Sequence, residues 1–190
     1  MIQQIQRPYT AKDLESMPDD GRRYEIIGGE LVVSPSPTTK HQWVSTALLQ
    51  MLGQAANRSG GFSLPAPLDV HLGAHDVVQP DVVYVGPENL HVIQQRGIVG
   101  APDLVIEVIS LSSRGRDRVR KSALYAGSGV REYWIVDPLD ETILAQELKD
   151  GVFVPLTTGP DDRARSKVLD GFEVIPADLF EIPEALKDRI

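Results

Sequence analysis

Pro102-Asp103-Leu104-Val105-Ile106-Glu107-Val108-Ile109-Ser110 is an apolar, strand-like run with an acid near its centre. A second run, Gln79-Pro80-Asp81-Val82-Val83-Tyr84-Val85, carries another acid at its head. A carboxylate taken out of water is costly unless it is paired, usually with a cation. Two such acids in strands point to a metal-ion site and to hydrolytic chemistry. Strand side chains alternate between faces, so Asp81 points with Val83 and Val85, and Glu107 with Val105 and Ile109. If the two strands are neighbours, the carboxylates meet at one end of the sheet. Asp103 shares the face of Glu107 but lies about 13 Å away at the ordinary strand rise, so Asp81 is the better partner.

The segment after Glu107 is basic: Arg114, Arg116, Arg118, Arg120 and Lys121, broken by Asp117. It predicts a helix capped by Ser112 or Ser113, running to about Ala126 and stopped by Gly127-Ser128-Gly129. Asp117, Lys121 and Tyr125 follow at intervals of four and share a helix face, from which a lysine can reach back to the carboxylates. Val130 to Val136 then reads as a strand ended by Asp137-Pro138, and Ile143–Leu148 with Val152–Leu156 as a hairpin. Residues 160–166 read as polar loop, and the tail with Phe172, Val174, Ile175, Leu179 and Phe180 as a segment packed back on the sheet.

Upstream, Thr10 and Asp13 suggest a capping box on a short helix. Arg23–Ile27 and Glu30–Ser34 flank Gly28-Gly29 as a hairpin. From Thr38 to Arg58, Val44, Leu48, Met51, Leu52 and Ala55 recur at helical spacing, with Gly60-Gly61 closing the helix. Strands are expected at about 62–64, 67–72 and 80–85, and a loop from Pro87 to the Glu107 strand. His71 and His75 are spaced like metal ligands on a helix, but Gly73 and the strand pattern around them place them in a loop. The pattern is α/β, in the sense of an α+β mixed sheet with two main helices.

The 190 residues suffice for a sizeable core and read as a single domain over 1–190. With 42% hydrophobic and 24% charged residues the composition is that of a soluble globular protein. The absence of cysteine excludes disulfides, iron–sulfur clusters, cysteine-ligated zinc and thiol nucleophiles. No stretch resembles a signal peptide or the ~20 apolar residues of a membrane span, which predicts a cytoplasmic protein without membrane association. The net charge of −8 argues against a simple nucleic-acid binder, although site carboxylates and a local basic patch can coexist with it. Asn57-Arg58-Ser59 matches a glycosylation sequon that has no role without secretion.

Pro80-Asp81, then Glu107 in an apolar strand, then a lysine resembles the PD-(D/E)XK nuclease superfamily. The fuller set is similar to its Uma-type family of restriction endonucleases, formerly a domain of unknown function. That set comprises Tyr24-Glu25, Gly29, Leu31, Ser34-Pro35, Pro37, His41, Pro80-Asp81, Pro102-Asp103-Leu104, Glu107-Val108-Ile109-Ser110, Asp117, Lys121, Tyr125 and Gly129 to Pro138. It spans roughly residues 10–180. The resemblance implies a restriction-endonuclease-like core with added N-terminal and C-terminal hairpins. It also implies hydrolysis of DNA phosphodiester bonds. Asp81, Glu107 and the Val108 carbonyl would hold Mg²⁺ or Mn²⁺. The superfamily usually has a lysine two residues after the glutamate. Ile109 stands there, so the role passes to Lys121, with Glu25 holding Lys121 or a second ion and His41 in a supporting position. Arg114, Arg116, Arg118 and Arg120 are candidate DNA contacts. Such nucleases often act as dimers, so a homo-oligomer is expected. Tyr133-Trp134 reads as core or, with the C-terminal hairpin, as an interface.

From the residues alone, blander readings stand beside these. Asp81 and Glu107 also read as a turn acid and an ion-pair member. Lys121 also reads as a solvated lysine beside Asp117, Glu25 as a hairpin surface acid, and the arginine run as a solvated helix face. At the level of function the alternatives are a non-catalytic DNA-binding or interaction module and a metal-dependent hydrolase of a small phosphoester.

Overall fold

A computed structural model describes residues 7–109, 116–157, 161–187 and 189, and the side chains of Arg116 and Asp117 are outside that description. Ser112, Ser113 and Arg114 therefore lie outside the described residues.

The chain opens with α1 (Ala11–Leu14), where Asp13 Oδ2 accepts from the Thr10 backbone N–H at 2.8 Å. The hairpin β1 (Arg23–Ile27) and β2 (Glu30–Ser34) turns on Gly28 and Gly29, whose φ angles of 59° and 77° are the left-handed pair a two-residue turn requires. Next comes α2 (Thr39–Ser59), started by the Thr38 hydroxyl accepting from the His41 N–H and stopped by left-handed Gly60. Then follow β3 (Phe62–Pro65), β4 (Val70–Gly73), β5 (Asp76–Val78), β6 (Val82–Val85), β7 (Ile93–Gln94), β8 (Gly97–Val99) and β9 (Leu104–Val108). The chain continues through α3 (Arg116–Ser128), β10 (Glu132–Asp137), β11 (Thr142–Lys149), β12 (Val152–Pro155), β13 (Ala164–Arg165), β14 (Glu173–Val174) and α4 (Pro176–Phe180).

The architecture is mixed α/β. Among the described residues there are two six-stranded sheets, ordered β2-β1-β5-β4-β8-β7 and β12-β11-β10-β9-β6-β3, and a two-stranded ribbon of β13 and β14. The pairs β9–β10 and β4–β8 are parallel and the others antiparallel. The N-terminal hairpin thus edges the first sheet and the C-terminal hairpin extends the second. Alternation along the second sheet sorts its residues into two layers. Val82, Tyr84, Leu104, Ile106 and Trp134 pack with Val44, Leu48 and Leu52 of α2. Val83, Val85, Val105 and Ile135 pack on the other face with Tyr125 of α3 and with Val70, Val78 and Ile98 of the first sheet. The end of β9 is thereby enclosed between α3 and the first hairpin, which is what makes a protected site there.

Several expectations need correction. The segment between Val85 and Asp103 is not simply loop: it holds a 3-10 turn (Pro87–Val92) and the short strands β7 and β8. His71 lies in β4 rather than a loop, and His75 sits in the turn before β5 with its Nδ1 2.8 Å from the Tyr9 carbonyl. Ala164 and Arg165, expected as loop, pair with Val174 and Glu173. Tyr133 and Trp134 are buried in the core, the first of the two readings given for them, and contribute no interface surface. No helix among the described residues is long and apolar enough to cross a membrane.

Candidate active site

The antiparallel register of β6 and β9 pairs Val82 with Ile106 and Val83 with Val105. Its next step sets Asp81 opposite Glu107. Asp81 Oδ2 accepts the Val108 N–H at 2.8 Å. In a strand the N–H and C=O of one residue point to the same side, so the Val108 carbonyl faces the Asp81 edge too.

Asp81 is buried, and three elements converge on it. Its Oδ1 accepts from Arg23 Nη1 of β1 at 2.5 Å and lies 3.0 Å from His41 Nε2 of α2. Burial alone would raise its pKa, but the His41 contact and the Arg23 charge outweigh that and hold it below the ordinary value. The other ring nitrogen of His41, Nδ1, is buried with no hydrogen-bond partner among the described residues.

Glu107 is held from α3. Its Oε1 accepts from Lys121 Nζ at 3.0 Å and from the Tyr125 hydroxyl at 2.6 Å, one helical turn further on. Among the described residues no hydrogen bond falls on Oε2. Lys121 Nζ also lies 2.9 Å from Glu25 Oε1, which in turn accepts the Gln79 N–H at 2.7 Å. Alternation along β1 places Arg23 and Glu25 on one face, so a single strand supplies a cation to Asp81 and an anion to Lys121. Burial works to lower the pKa of Lys121, but Glu107 and Glu25 overcome it and the ammonium is held above its ordinary range. Glu107 is raised, first by burial and then by Asp81 and Glu25, against the pull of Lys121. Burial and Glu107 likewise keep the Tyr125 hydroxyl protonated, as a donor.

The expected residues Asp81, Glu107, Glu25, Lys121 and the Val108 backbone therefore come together, and line a pocket of about 210 Å³ with Arg23 and His41. Ile109, at the position where the superfamily has lysine, is buried in the apolar layer, with its N–H bonded to the Val136 carbonyl. Arg118 is exposed and lines a narrower recess beside Glu107. Arg120 is turned inward: it donates to the Ile27 carbonyl at 2.7 Å and pairs with Glu30 at 2.9 Å, docking α3 on the first hairpin. Arg114 and the side chain of Arg116 are outside the described residues. Arg23 is the member that sequence reasoning missed. Its two-residue spacing from Glu25 was visible, but its partner lies 58 positions away.

Three carboxylates face two permanent cations, Arg23 and Lys121. The donors are all oxygen, which suits Mg²⁺ or Mn²⁺, and the surplus negative charge suits a cation. Among the described residues no group of three or more His, Asp or Glu side chains is placed to hold a metal. An ion here would therefore be held by two carboxylates and retain several waters, as Mg²⁺ commonly does.

The raised and lowered carboxylates set opposite pH trends. Glu107, and Glu132 on β10, sit above the ordinary 4.5, so stability rises as pH falls through their raised folded values towards 4.5. Asp81 sits below the ordinary 3.8, so its contribution is present above that value and lost as pH falls through its folded pKa. Melting temperatures should therefore climb as pH approaches 4.5 from above and drop below pH 4, about where an unperturbed aspartate titrates. Glu107→Gln should flatten the climb. A wild-type melting temperature that falls steadily from pH 7 to 5 would show that the buried glutamates do not govern stability there.

Two sheets with α2 on one face, and facing acids at the head of β6 and the end of β9, define a restriction-endonuclease-like mixed α/β protein. The chain belongs to the Uma2 family, whose model, described as "Putative restriction endonuclease", matches residues 11–179. A crystal structure from Anabaena variabilis ATCC 29413, titled as a putative nuclease belonging to DUF820, superposes with a TM-score of 0.73 at 19% identity. The match covers 91% of this chain and 98% of that one, and it establishes likeness of fold. A search of curated proteins finds none that matches.

Proposed function

We propose that the protein is a Mg²⁺- or Mn²⁺-dependent endonuclease that hydrolyses DNA phosphodiester bonds at the Asp81–Glu107 site. The observation that carries this reading is the Lys121 ammonium, 3.0 Å from Glu107 and 2.9 Å from Glu25. It brings to the carboxylates the cation that Ile109 cannot supply, and so removes the main ground for reading the chain as an inactive module. Asp81, Glu107 and the Val108 carbonyl would hold the ion. When bound, the ion supplies a lowered pKa for water and a counter-charge for the phosphoryl oxygens.

The protein's own residues do the rest. Lys121 stays protonated, so it does not act as a base. It orients the attacking water and neutralises charge that develops on the phosphoryl group. Glu25 aims Lys121, and Tyr125 fixes the carboxylate of Glu107. A pocket of about 210 Å³ is below the ~300–1,000 Å³ that encloses a whole small ligand. That size favours one phosphate of a longer chain over a free small phosphoester.

The test is supercoiled plasmid incubated with Mg²⁺ or Mn²⁺ and the wild type, Asp81→Ala or Glu107→Ala. Nicking by the wild type alone is the expected result, and equal nicking by all three rejects the site. One such site cuts one strand, so linear product formed directly from supercoiled plasmid would indicate the homo-oligomer that the resemblance implies.

A further inference from the structure

Asp81 already carries a cation. Arg23 Nη1 lies 2.5 Å from its Oδ1, with the carboxylate side chain 2% exposed and the arginine 21%. His41 and the Val108 N–H take up the rest of its near contacts. An incoming ion meets a different situation at the two acids: Glu107 Oε2 has no partner among the described residues, whereas both oxygens of Asp81 are engaged. The guanidinium also has somewhere to go. Arg23 lines the 210 Å³ pocket on one side of Asp81 and, on the other, a small recess shared with Gln42, Ser45, Pro65 and Ala66. In that recess the Ser45 hydroxyl is buried and has no hydrogen-bond partner among the described residues. Arg23 is the first residue of β1, so its side chain can swing without disturbing the strand ladder beyond it.

We propose that Arg23 is the resident counter-ion of Asp81, that a divalent cation displaces it, and that the freed guanidinium then binds the phosphodiester in the same pocket. The inference rests on the nuclease reading and adds a residue to it. An ammonium-like point charge would suffice to neutralise Asp81. A guanidinium fork additionally matches two phosphate oxygens at once. The exchange keeps charge in step: the cation enters where Arg23 leaves, and Arg23 meets the anion that the site is built to receive. Metal binding and substrate binding are thereby coupled through one side chain, and the site without metal keeps its phosphate-binding group tied to Asp81.

The signature is a pair of opposite effects. Calorimetric titration of the full-length chain with Mn²⁺ should show Arg23→Ala binding the ion about tenfold more tightly than wild type, the size of one lost charge-assisted hydrogen bond. In Ca²⁺, fluorescence anisotropy with a labelled DNA duplex should show the same variant binding DNA more weakly. Arg23→Gln provides the same two readouts if the alanine variant does not fold, as judged by circular dichroism. Arg118→Ala removes an equal charge beside Glu107 without touching Asp81, and should change Mn²⁺ affinity much less. Unchanged or weaker Mn²⁺ binding by the Arg23 variants, beside a wild type that binds, overturns the exchange and leaves the nuclease reading standing. So does an Arg118→Ala gain as large as that of Arg23→Ala. Undiminished DNA affinity overturns the phosphate role. Absence of Mn²⁺ binding in every variant and the wild type removes the metal site itself, and this inference with it.

Discussion

Lys121→Met lowers plasmid nicking by about 10²–10³-fold, the loss expected when one preorganised group that stabilises developing charge is removed. Methionine keeps the unbranched stem that packs between α3 and β1 and deletes only the ammonium. The remaining site still has Asp81, Glu107 and the Val108 carbonyl, so Mn²⁺ binding persists while the chemical step fails. That split distinguishes loss of Lys121 from loss of a metal ligand. The same variant strands Glu107 and Glu25, both buried, against each other. Removing one partner of a buried ion pair costs about 3–5 kcal/mol, mostly from the charge left behind. The penalty at neutral pH should shrink on acidification, because Glu107 is already raised and protonates more readily once Lys121 is gone. In the wild type the Lys121 contribution behaves oppositely. It is complete below the ordinary lysine value of 10.5 and is lost only as pH rises through the higher folded value. Urea melts at pH 7 and pH 5, with nicking assayed where the variant is folded, check both effects. Wild-type nicking by a folded Lys121→Met protein would end the catalytic assignment.

The sequence carried more of this site than of the fold around it. Strand alternation put Asp81 and Glu107 on one face if their strands were neighbours, which they are, and strand rise set Asp103 aside. In the structure Asp103 serves the other end of β9, accepting from the Gly86 N–H and from Arg131. Helical spacing put Lys121 and Tyr125 on one face, and both reach Glu107. Long periodic segments were equally legible: α2 begins and ends within a residue of its expected bounds. The short strands β7 and β8, of two and three residues, were not. So few residues establish no period, and their pairing partners are set by tertiary contacts. The arginine run shows the same limit. Arg118 and Arg120 look alike in sequence, yet one is exposed and the other is drawn to the Ile27 carbonyl and Glu30 across the hairpin.

Glu132 shows that an acid in a buried strand need not belong to a site. It too is an acid in an apolar strand run, between Val130 and Val136, and it is fully buried. No cation meets it. Its Oε1 accepts from Trp134 Nε1 at 2.5 Å, and its Oε2 from the Ser166 hydroxyl at 3.1 Å and the backbone N–H groups of Lys167 and Val168 at 2.9 and 3.1 Å. The carboxylate thus clamps residues 166–168 to β10, next to the stacked pair Trp134 and Phe172. Through that clamp Leu169, Phe172 and Val174 are seated on the α2 side of the core. Glu132→Ala leaves the indole and two backbone donors without an acceptor in a dry site, at about 1–3 kcal/mol each. Because these costs overlap, the expected total is about 3–5 kcal/mol, which for a chain of this length lowers the melting temperature by about 6–20 °C. Glu132→Gln should fall between, since one amide oxygen still accepts while its NH₂ confronts a donor. Nicking below the melting transition should persist in both variants, because Glu132 touches none of the pocket residues. A Glu132→Ala protein that melts like the wild type would show that the C-terminal segment is held by its apolar side chains alone. The contrast with Asp81 and Glu107 is then physical: a buried strand acid answered by backbone donors builds the fold, and one answered by side-chain cations beside an open pocket is the kind we propose does chemistry.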